Sequence, residues 1–246
     1  NVTRMIVIFD FEVEFYRRHG MTVEFAGHPV VERLSALSLP PAVLFREKHG
    51  IAPETKLIGL LPGSRRQELA SLLGEMLDAA RLLDRSYRAV FLLGRAPELP
   101  DDCFSILSEY PGLSIVECSA YEVMKYSDLA VVTSGTATLE GLCFGVPMIV
   151  VYRTGWLNYQ IMRRLVKLRN ISLANIVSQG LESSVQLVPE LLQEDARADG
   201  IFRTASGILD DPELAGKMRK GLLAAKARLG QSSPSIRIAE IVKEYL

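Results

Sequence analysis

Short apolar runs alternate with amphipathic segments from the start of the chain to about residue 151. The runs are rich in β-branched residues and predict buried strands. These predicted strands are Met5–Phe9, Leu57–Leu61, Ala89–Leu93, Ser114–Val116, Leu129–Val132 and Met148–Val151. Predicted helices lie between them at Arg66–Asp84, Asp102–Glu109, Ala120–Tyr126 and Thr136–Phe144. Because a parallel crossover needs a connection of helix length, the alternation predicts an α/β fold with a parallel sheet.

The pattern changes near Val185, and from there it predicts helices and no strand. The predicted helices are Val185–Gln193, Arg197–Leu209, Pro212–Leu229 and Ser235–Tyr245. Residues 26–56 contain a GHP sequence and the pair Pro40-Pro41, which are typical of a linker. We therefore predict a remnant of a preceding domain at 1–25, a linker at 26–56, a main domain at 57–230 and a terminal helix at 231–246.

Composition narrows the class of protein. With 246 residues and 48% hydrophobic content, the chain is long enough to bury a packed core. Its 28 basic and 29 acidic residues give a formal net charge of -1, so charge does not predict a nucleic-acid partner. Three widely spaced cysteines without a C-x-x-C pattern argue against a disulfide framework and a zinc site. These features, with no apolar run near the roughly 18 residues of a membrane span, favour the cytoplasm.

The sequence LLPGSRRQE follows the strand predicted at Leu57–Leu61. Gly63 permits a tight turn, and Ser64 with Gln67 three residues later has the spacing of a capping box, so a helix is predicted to start here. The positive end of that helix could hold an anion, with Arg65 or Arg66 adding a full charge. An ordinary capped turn with solvated arginines explains this stretch equally well.

A second small-residue turn, Ser134-Gly135-Thr136, follows the strand predicted at Leu129–Val132. Glu140 lies one turn into the next helix, in an apolar sequence where a carboxylate needs a partner. A ligand hydroxyl pair is one such partner, and a structural hydrogen bond is the alternative. In the doubly wound strand order these two turns flank one crevice. An anion site facing a hydroxyl acceptor would suit a phosphorylated sugar or a nucleotide.

Five stretches in one order carry a family resemblance. They are FEVEFYRRHG…VEFAGHP, LLPGSRRQE, VTSGTATLEGLCFGVPMIVVYR, SLANIVSQG and VPELLQE. Together they resemble lipid-A-disaccharide synthase, a GT-B glycosyltransferase of bacterial outer-membrane biosynthesis. The resemblance is to the C-terminal, nucleotide-sugar-binding half of that family. It implies a Rossmann-like parallel sheet followed by a helical C-terminal segment, with most of the N-terminal half expected before Asn1.

The resemblance implies a reaction. The family transfers a 2,3-diacylglucosaminyl group from UDP-2,3-diacylglucosamine to 2,3-diacylglucosamine 1-phosphate, with inversion and release of UDP. Carried over by motif, the residues expected to bind the UDP-sugar are Gly63, Ser64, Arg65, Ser134, Gly135, Thr136, Glu140 and Asn175. Gly63, Ser64 and Arg65 would hold the diphosphate, and Glu140 would accept from the ribose hydroxyls. Asn175 would lie at the sugar or phosphate end, although Ala174 stands where the family usually has proline.

Leaving-group stabilisation is the chemistry expected of this half. A helix N-terminus and Arg65 would stabilise the charge that grows on the departing phosphate without a metal or other cofactor. Asp10-Phe11-Glu12 is the nearest approach to a D-x-D motif, and it is better explained as a helix-capping pattern. The general base is expected from the N-terminal half. This chain alone is therefore predicted to bind UDP and to transfer little sugar.

Residues 152–170 combine an apolar face with a basic one. The residues predicted to contact membrane or acyl chains are Trp156, Tyr159, Arg163, Arg164 and Lys167. Such a segment suits an anionic surface, here the inner face of the inner membrane, and a helix packed on the domain is the alternative. In GT-B proteins the terminal helix often crosses to the N-terminal domain. Without that surface, the apolar face of Ser235–Tyr245 would favour a homo-oligomer.

The three histidines are not predicted to be functional. His28 is predicted to be structural, and His19 and His49 are predicted to end helices. The alternative functions are another UDP-N-acetylglucosamine-using GT-B transferase or epimerase, and a non-catalytic nucleotide-sugar-binding module.

Overall fold

The computed structural model describes residues 5–154, 170–181, 183–230 and 233–244. Two parallel sheets organise this part of the chain. The smaller has two strands, β1 (Met5–Val7) and β2 (Val23–Phe25). The larger has six, ordered β5-β4-β3-β6-β7-β8. Its strands are β3 (Lys56–Leu61), β4 (Ala89–Gly94), β5 (Ile115–Cys118), β6 (Leu129–Thr133), β7 (Met148–Tyr152) and β8 (Glu190–Leu192).

From β3 to β7, helical segments connect the strands in the order that the sequence predicts, and further helices precede and follow them. Those before β8 are α1 (Asp10–Arg18), α2 (Pro29–Ser35), α3 (Ala42–Lys48), α4 (Arg66–Asp84), α5 (Ala120–Tyr126), α6 (Thr136–Phe144) and α7 (Leu173–Gln179). Those after β8 are α8 (Ala198–Leu209), α9 (Pro212–Lys226) and α10 (Pro234–Lys243). Short 3-10 helices lie at Asp101–Glu109, Gln193–Ala196 and Ala227–Leu229. None of the helices in these described ranges is long and apolar enough to cross a bilayer.

The centre of the larger sheet is the core of the fold. Leu57 and Ile58 are neighbours in β3, and both are buried although their side chains point to opposite faces. The same holds for the β6 run Leu129–Val132, in which each residue is fully buried. Helices therefore cover the sheet on both faces, as the continuous apolar runs require. The predicted α/β class and the doubly wound strand order are confirmed.

One prediction about the C-terminal third is wrong. The segment Val185–Gln193, predicted as a helix, contains edge strand β8, which pairs with β7 from Val150↔Glu190 to Tyr152↔Leu192. The Glu190 side chain accepts hydrogen bonds from the backbone N–H groups of Ile171 and Ser172, at 2.8 and 3.0 Å. These contacts are distant in sequence, so local periodicity could not reveal them.

The predicted linker, residues 26–56, carries helices α2 and α3. The C-terminal part of the chain returns to this predicted linker and to the segment before it. Ser235 in α10 donates through Oγ to Glu32 Oε1 at 2.5 Å, and Arg237 pairs with Glu24 at 2.6 Å. Arg228 pairs with Asp10 at 2.9 Å. The terminal helix thus packs against β2 and α2, while Ile236 and Val242 remain exposed.

Candidate functional site

A cavity of about 750 Å³ opens at the carboxyl end of the larger sheet. The turns after β3 and β6 form two of its walls, because these strands are neighbours with Leu60 paired to Val131. The loop Gly94–Glu98 after β4 and the start of α5 complete it. The described lining residues that the sequence analysis selected are Gly63, Ser64, Arg65, Ser134, Gly135, Thr136 and Glu140. One cavity of a size suited to small-molecule ligands therefore joins both motifs.

The α6 wall presents a helix N-terminus without a capping side chain. The N-cap residue is Gly135, whose φ of 155° and ψ of -158° suit glycine far better than any other residue. No acidic residue lies in the first turn of α6. Thr138 Oγ1 donates back to the Gly135 carbonyl at 2.8 Å, so this hydroxyl caps no N–H group. Among the described residues, no capping side chain and no first-turn carboxylate therefore compensates the positive end of α6 where it meets the cavity.

The α4 wall is different, and here the predicted capping pattern is wrong. The N-cap residue is Arg65, and the side chain that closes the turn is Glu68, not Gln67. Glu68 Oε2 accepts from the backbone N–H of Ser64 at 3.1 Å and of Arg65 at 3.3 Å. Gly63 has a φ of 111°, and a Cβ there would lie 2.8 Å from Glu68 Cβ. Only glycine leaves room for this carboxylate.

The Arg65 guanidinium also contacts the α4 carboxylate. Its Nη1 donates to Glu68 Oε1 at 2.6 Å, and 79% of the Arg65 side chain is exposed. A pair this exposed is worth little and opens easily. Arg65 lies at the cavity edge as predicted, but in this conformation its charge is balanced by Glu68. Arg66 instead pairs with Asp102 at 3.3 Å.

Glu140 lies deeper in the cavity wall. Its side chain is 12% exposed, and burial raises the pKa of its carboxyl, with Arg33 and Tyr121 opposing the rise. Arg33 comes from α2 and pairs with Oε1 of this carboxylate. The Tyr121 hydroxyl, from α5, donates to the same oxygen at 3.4 Å. The sequence predicts neither Arg33 nor Tyr121 at this site, because nothing local in the sequence links them to Glu140.

The structure does not bring Asn175 to the cavity, which corrects its assignment to the sugar end. Asn175 is completely buried at the start of α7. Its Oδ1 accepts from the backbone N–H of Leu187 and Val188, at 2.8 and 3.0 Å. Its Nδ2 donates to the Val188 carbonyl and to Glu190 Oε1, both at 2.8 Å. The amide has no capacity left for a ligand, so Asn175 joins α7 to the chain entering β8.

The histidines have the structural roles predicted for them. His28 Nδ1 accepts from the Val30 N–H at 3.1 Å and caps α2, so the ring proton is on Nε2. Burial and the Arg33 charge lower the pKa of His28, which favours this neutral form. His19 and His49 are the C-cap residues of α1 and α3. Glu12 accepts from the Phe9 N–H at 3.0 Å, as the predicted capping pattern requires.

The sequence predicts five residues that contact membrane or acyl chains. Trp156, Tyr159, Arg163, Arg164 and Lys167 lie outside the described residues. Within the described part of the chain, no group of three or more His, Cys, Asp or Glu side chains could hold a metal ion.

Solved structures with the same architecture include two sugar-processing proteins. The UDP-GlcNAc 2-epimerase of Neisseria meningitidis, solved with UDP-GlcNAc, matches with a TM-score of 0.63 and 14% identity over 98% of this chain and 61% of its own. WaaG, described as a glycosyltransferase of lipopolysaccharide biosynthesis, matches with a TM-score of 0.56 and 15% identity over 97% of this chain and 62% of its own. The fold is thus the GT-B fold that glycosyltransferases share.

Sequence comparison defines the family. A family model described as Lipid-A-disaccharide synthetase matches residues 1–233. The lipid-A-disaccharide synthase of Geobacter sulfurreducens is 39% identical, and that of Geobacter metallireducens 37% identical, over 100% of this chain and 63% of each relative. The chain belongs to the lipid-A-disaccharide synthase family. It spans about 63% of the length of these curated relatives.

Proposed function

We propose that the cavity binds the UDP part of a UDP-linked acylated glucosamine. The observation that carries this proposal is the meeting of an uncompensated helix N-terminus and a buried carboxylate in one cavity of about 750 Å³. The helix terminus suits a diphosphate, and the carboxylate suits a pair of ribose hydroxyls. The loop Gly94–Glu98 forms a further wall of the cavity. We propose that the uracil base lies beside it.

The diphosphate is best placed at the start of α6. Ser134, Gly135 and Thr136 line the cavity there, and no carboxylate from the first turn competes for the helix N-terminus. At the start of α4, Glu68 already occupies the Ser64 and Arg65 N–H groups. Arg65 can still contribute, since its exposed guanidinium can leave Glu68 for a doubly charged ligand.

In the reaction, this half of the site would stabilise the leaving group. When the bond between sugar and phosphate breaks, charge grows on the outer phosphate. N–H groups held at the start of α6 would lower the barrier without rearranging, and Arg65 would add its charge once it leaves Glu68. The proposed reaction is the family's transfer from UDP-2,3-diacylglucosamine to 2,3-diacylglucosamine 1-phosphate with release of UDP. The acceptor site and the general base are proposed to lie in the part of the relatives that this chain does not span.

The first test is calorimetric titration of UDP into the chain with EDTA present. We expect saturable binding that weakens by roughly 1 to 3 kcal/mol in Glu140→Ala and, to a smaller extent, in Arg65→Ala. Arg88→Ala is the control, because Arg88 precedes β4 at the opposite end of the sheet and pairs there with Glu54. No binding by the wild-type chain, or equal loss in the control, would contradict the proposal.

A second test separates binding from transfer. The chain alone is expected to form little or no disaccharide from the two acylated sugars. Adding the N-terminal part of a relative should then produce disaccharide if the activity is divided as proposed. Measurable disaccharide from the chain alone would contradict the proposal that the general base lies elsewhere. No disaccharide from the mixture would favour a non-catalytic binding module.

We also propose that the protein contacts the inner face of the inner membrane peripherally. The support is the basic and apolar pattern of residues 152–170. Sedimentation with vesicles of anionic lipid at low and high salt tests it. Retention that salt abolishes is expected, since the attraction is screened within a Debye length. Absence of retention at low salt would overturn it.

A further inference from the structure

Three elements meet at one carboxylate oxygen on the cavity wall. Arg33 of α2 and Tyr121 of α5 both donate to Oε1 of Glu140, which belongs to α6. All three residues line the cavity. Arg33 and Thr136 line both this cavity and a smaller one of about 240 Å³ beside His28. The cluster therefore joins α2 to the candidate binding site.

The second oxygen of Glu140 is in a different situation. A carboxylate can accept about four hydrogen bonds, two at each oxygen. The two protein donors use Oε1, and Oε2 has no hydrogen-bond partner in the described ranges. This division leaves one oxygen of a buried, cavity-lining carboxylate available to a ligand hydroxyl.

The charge of this carboxylate depends on few neighbours. Burial alone disfavours the ionised form, and the pKa of Glu140 is accordingly raised. Among described residues, the groups that interact electrostatically with it are Arg33 from α2, Tyr121 from α5 and Cys143 on α6. Of these, only Arg33 carries a positive charge. Its loss would leave a buried carboxylate without a cation, which favours the protonated form.

We propose that Arg33 is a positioning residue that keeps Glu140 ionised and turned so that Oε2 accepts a ribose hydroxyl. The proposal rests on the proposed function of the cavity. A merely structural role is the competing explanation. The Arg33 side chain is 56% exposed, and a pair of this kind contributes little to stability, so its removal should leave the fold intact. Its effect should appear in the titration of Glu140 and in ribose recognition.

The experiment has a part that needs no ligand. The carboxyl carbon of Glu140 is followed by NMR through a pH titration in the wild type, in Arg33→Gln and in the control Arg88→Gln. Arg88 also pairs with a glutamate on the surface, but at the opposite end of β4. We expect Glu140 to titrate at higher pH in Arg33→Gln and unchanged in the control. Identical titration in all three proteins would overturn the proposal.

The second part measures ribose recognition. The dissociation constants of UDP and of 2′,3′-dideoxy-UDP are compared at pH 6 and pH 8. In Arg33→Gln, the preference for UDP should fall about tenfold at pH 6 and less at pH 8, and Arg33→Lys should restore most of it. A preference that Arg33→Gln leaves unchanged would overturn the ribose role. If the wild type binds no UDP at all, the proposed function fails, while the titration still decides whether Arg33 controls Glu140.

Discussion

The starts of α4 and α6 occupy equivalent positions but treat their positive ends differently. Each follows the carboxyl end of a central strand, and each begins after a glycine with positive φ. At α4, Glu68 folds back over Gly63 and accepts from the turn N–H groups. At α6, none of the side chains that the structure describes caps the helix, and its first turn contains no acidic residue. The first terminus is capped by the protein itself, and the second is left without a cap by the described side chains.

This difference shows that arginines in a sequence motif do not by themselves mark an anion site. The stretch PGSRR carries two full positive charges, yet Arg65 pairs with Glu68 and Arg66 with Asp102. The α6 turn carries no charge at all in Ser134, Gly135 and Thr136. The attraction for an anion that we propose here would come from the helix dipole and the N–H groups of the first turn. Substitutions that remove the cap of α4 or add a carboxylate to α6 therefore test this difference.

The largest expected effect is a loss of stability on substitution of Asn175, whose buried amide is fully hydrogen-bonded outside the cavity. Asn175→Ala removes four hydrogen bonds and leaves buried partners unsatisfied, so the free energy of unfolding should fall by about 3 to 5 kcal/mol. Urea denaturation measures this, with Gln179→Ala in the same helix as control. UDP affinity of the folded variant should stay within about threefold of wild type. A selective loss of affinity with unchanged stability would return Asn175 to the binding site.

The second prediction closes the open terminus. Thr136→Asp places a carboxylate at the first position of α6, where it should stabilise the helix by about 0.3 to 1 kcal/mol and repel a diphosphate. We expect UDP to bind about 100-fold more weakly, which corresponds to like charges a few ångströms apart. Thr136→Asn controls for shape, and Gln67→Asp adds the matched charge to α4. If Gln67→Asp weakened binding more than Thr136→Asp, the assignment of the diphosphate to α6 would be wrong.

The third prediction opens the closed terminus. Glu68→Ala removes the cap of α4 and should lower the free energy of unfolding by about 1 kcal/mol. Glu68→Gln keeps a side chain that can cap but removes its charge, which frees Arg65 for the ligand. We expect Glu68→Gln to bind UDP about two- to fivefold more tightly in calorimetry. This factor corresponds to the interaction free energy of an exposed ion pair. Weaker binding would mean that Glu68 itself contacts the ligand.

The smallest effect is a dependence of stability on pH. Because burial raises the pKa of Glu140 in the folded protein, ionisation of this carboxyl opposes folding. The group therefore costs stability at pH values above its folded pKa, and the cost disappears below the ordinary value of 4.5. Glu140→Gln should melt at a slightly higher temperature than wild type at pH 8 and at the same temperature near pH 4. A lower melting temperature at pH 8 would show that the pair with Arg33 is net stabilising.

The sequence was a good guide wherever apolar runs were long. The strands and helices between Leu57 and Val151 begin and end within a residue or two of their predicted bounds. Strands buried on both faces give continuous apolar runs, and helices buried on one face give an apolar stripe, so both are visible in the sequence. The prediction failed at β8, a three-residue edge strand whose place depends on the contacts of Glu190 with residues 171–175. It also failed at the α4 cap, where Glu68 and Gln67 offered the same capping chemistry.

By itself, the sequence determined the parallel sheet, the family and the two turns that meet at the cavity. Strand composition, helix length and motif order are local properties, and they suffice for these features. The tertiary structure decided which polar groups remain free. It enclosed Asn175 and brought Arg33 from a segment predicted as linker onto Glu140. Whether such a polar group is satisfied depends on partners far away in the chain, 107 positions for Arg33 and Glu140, and no local pattern records them.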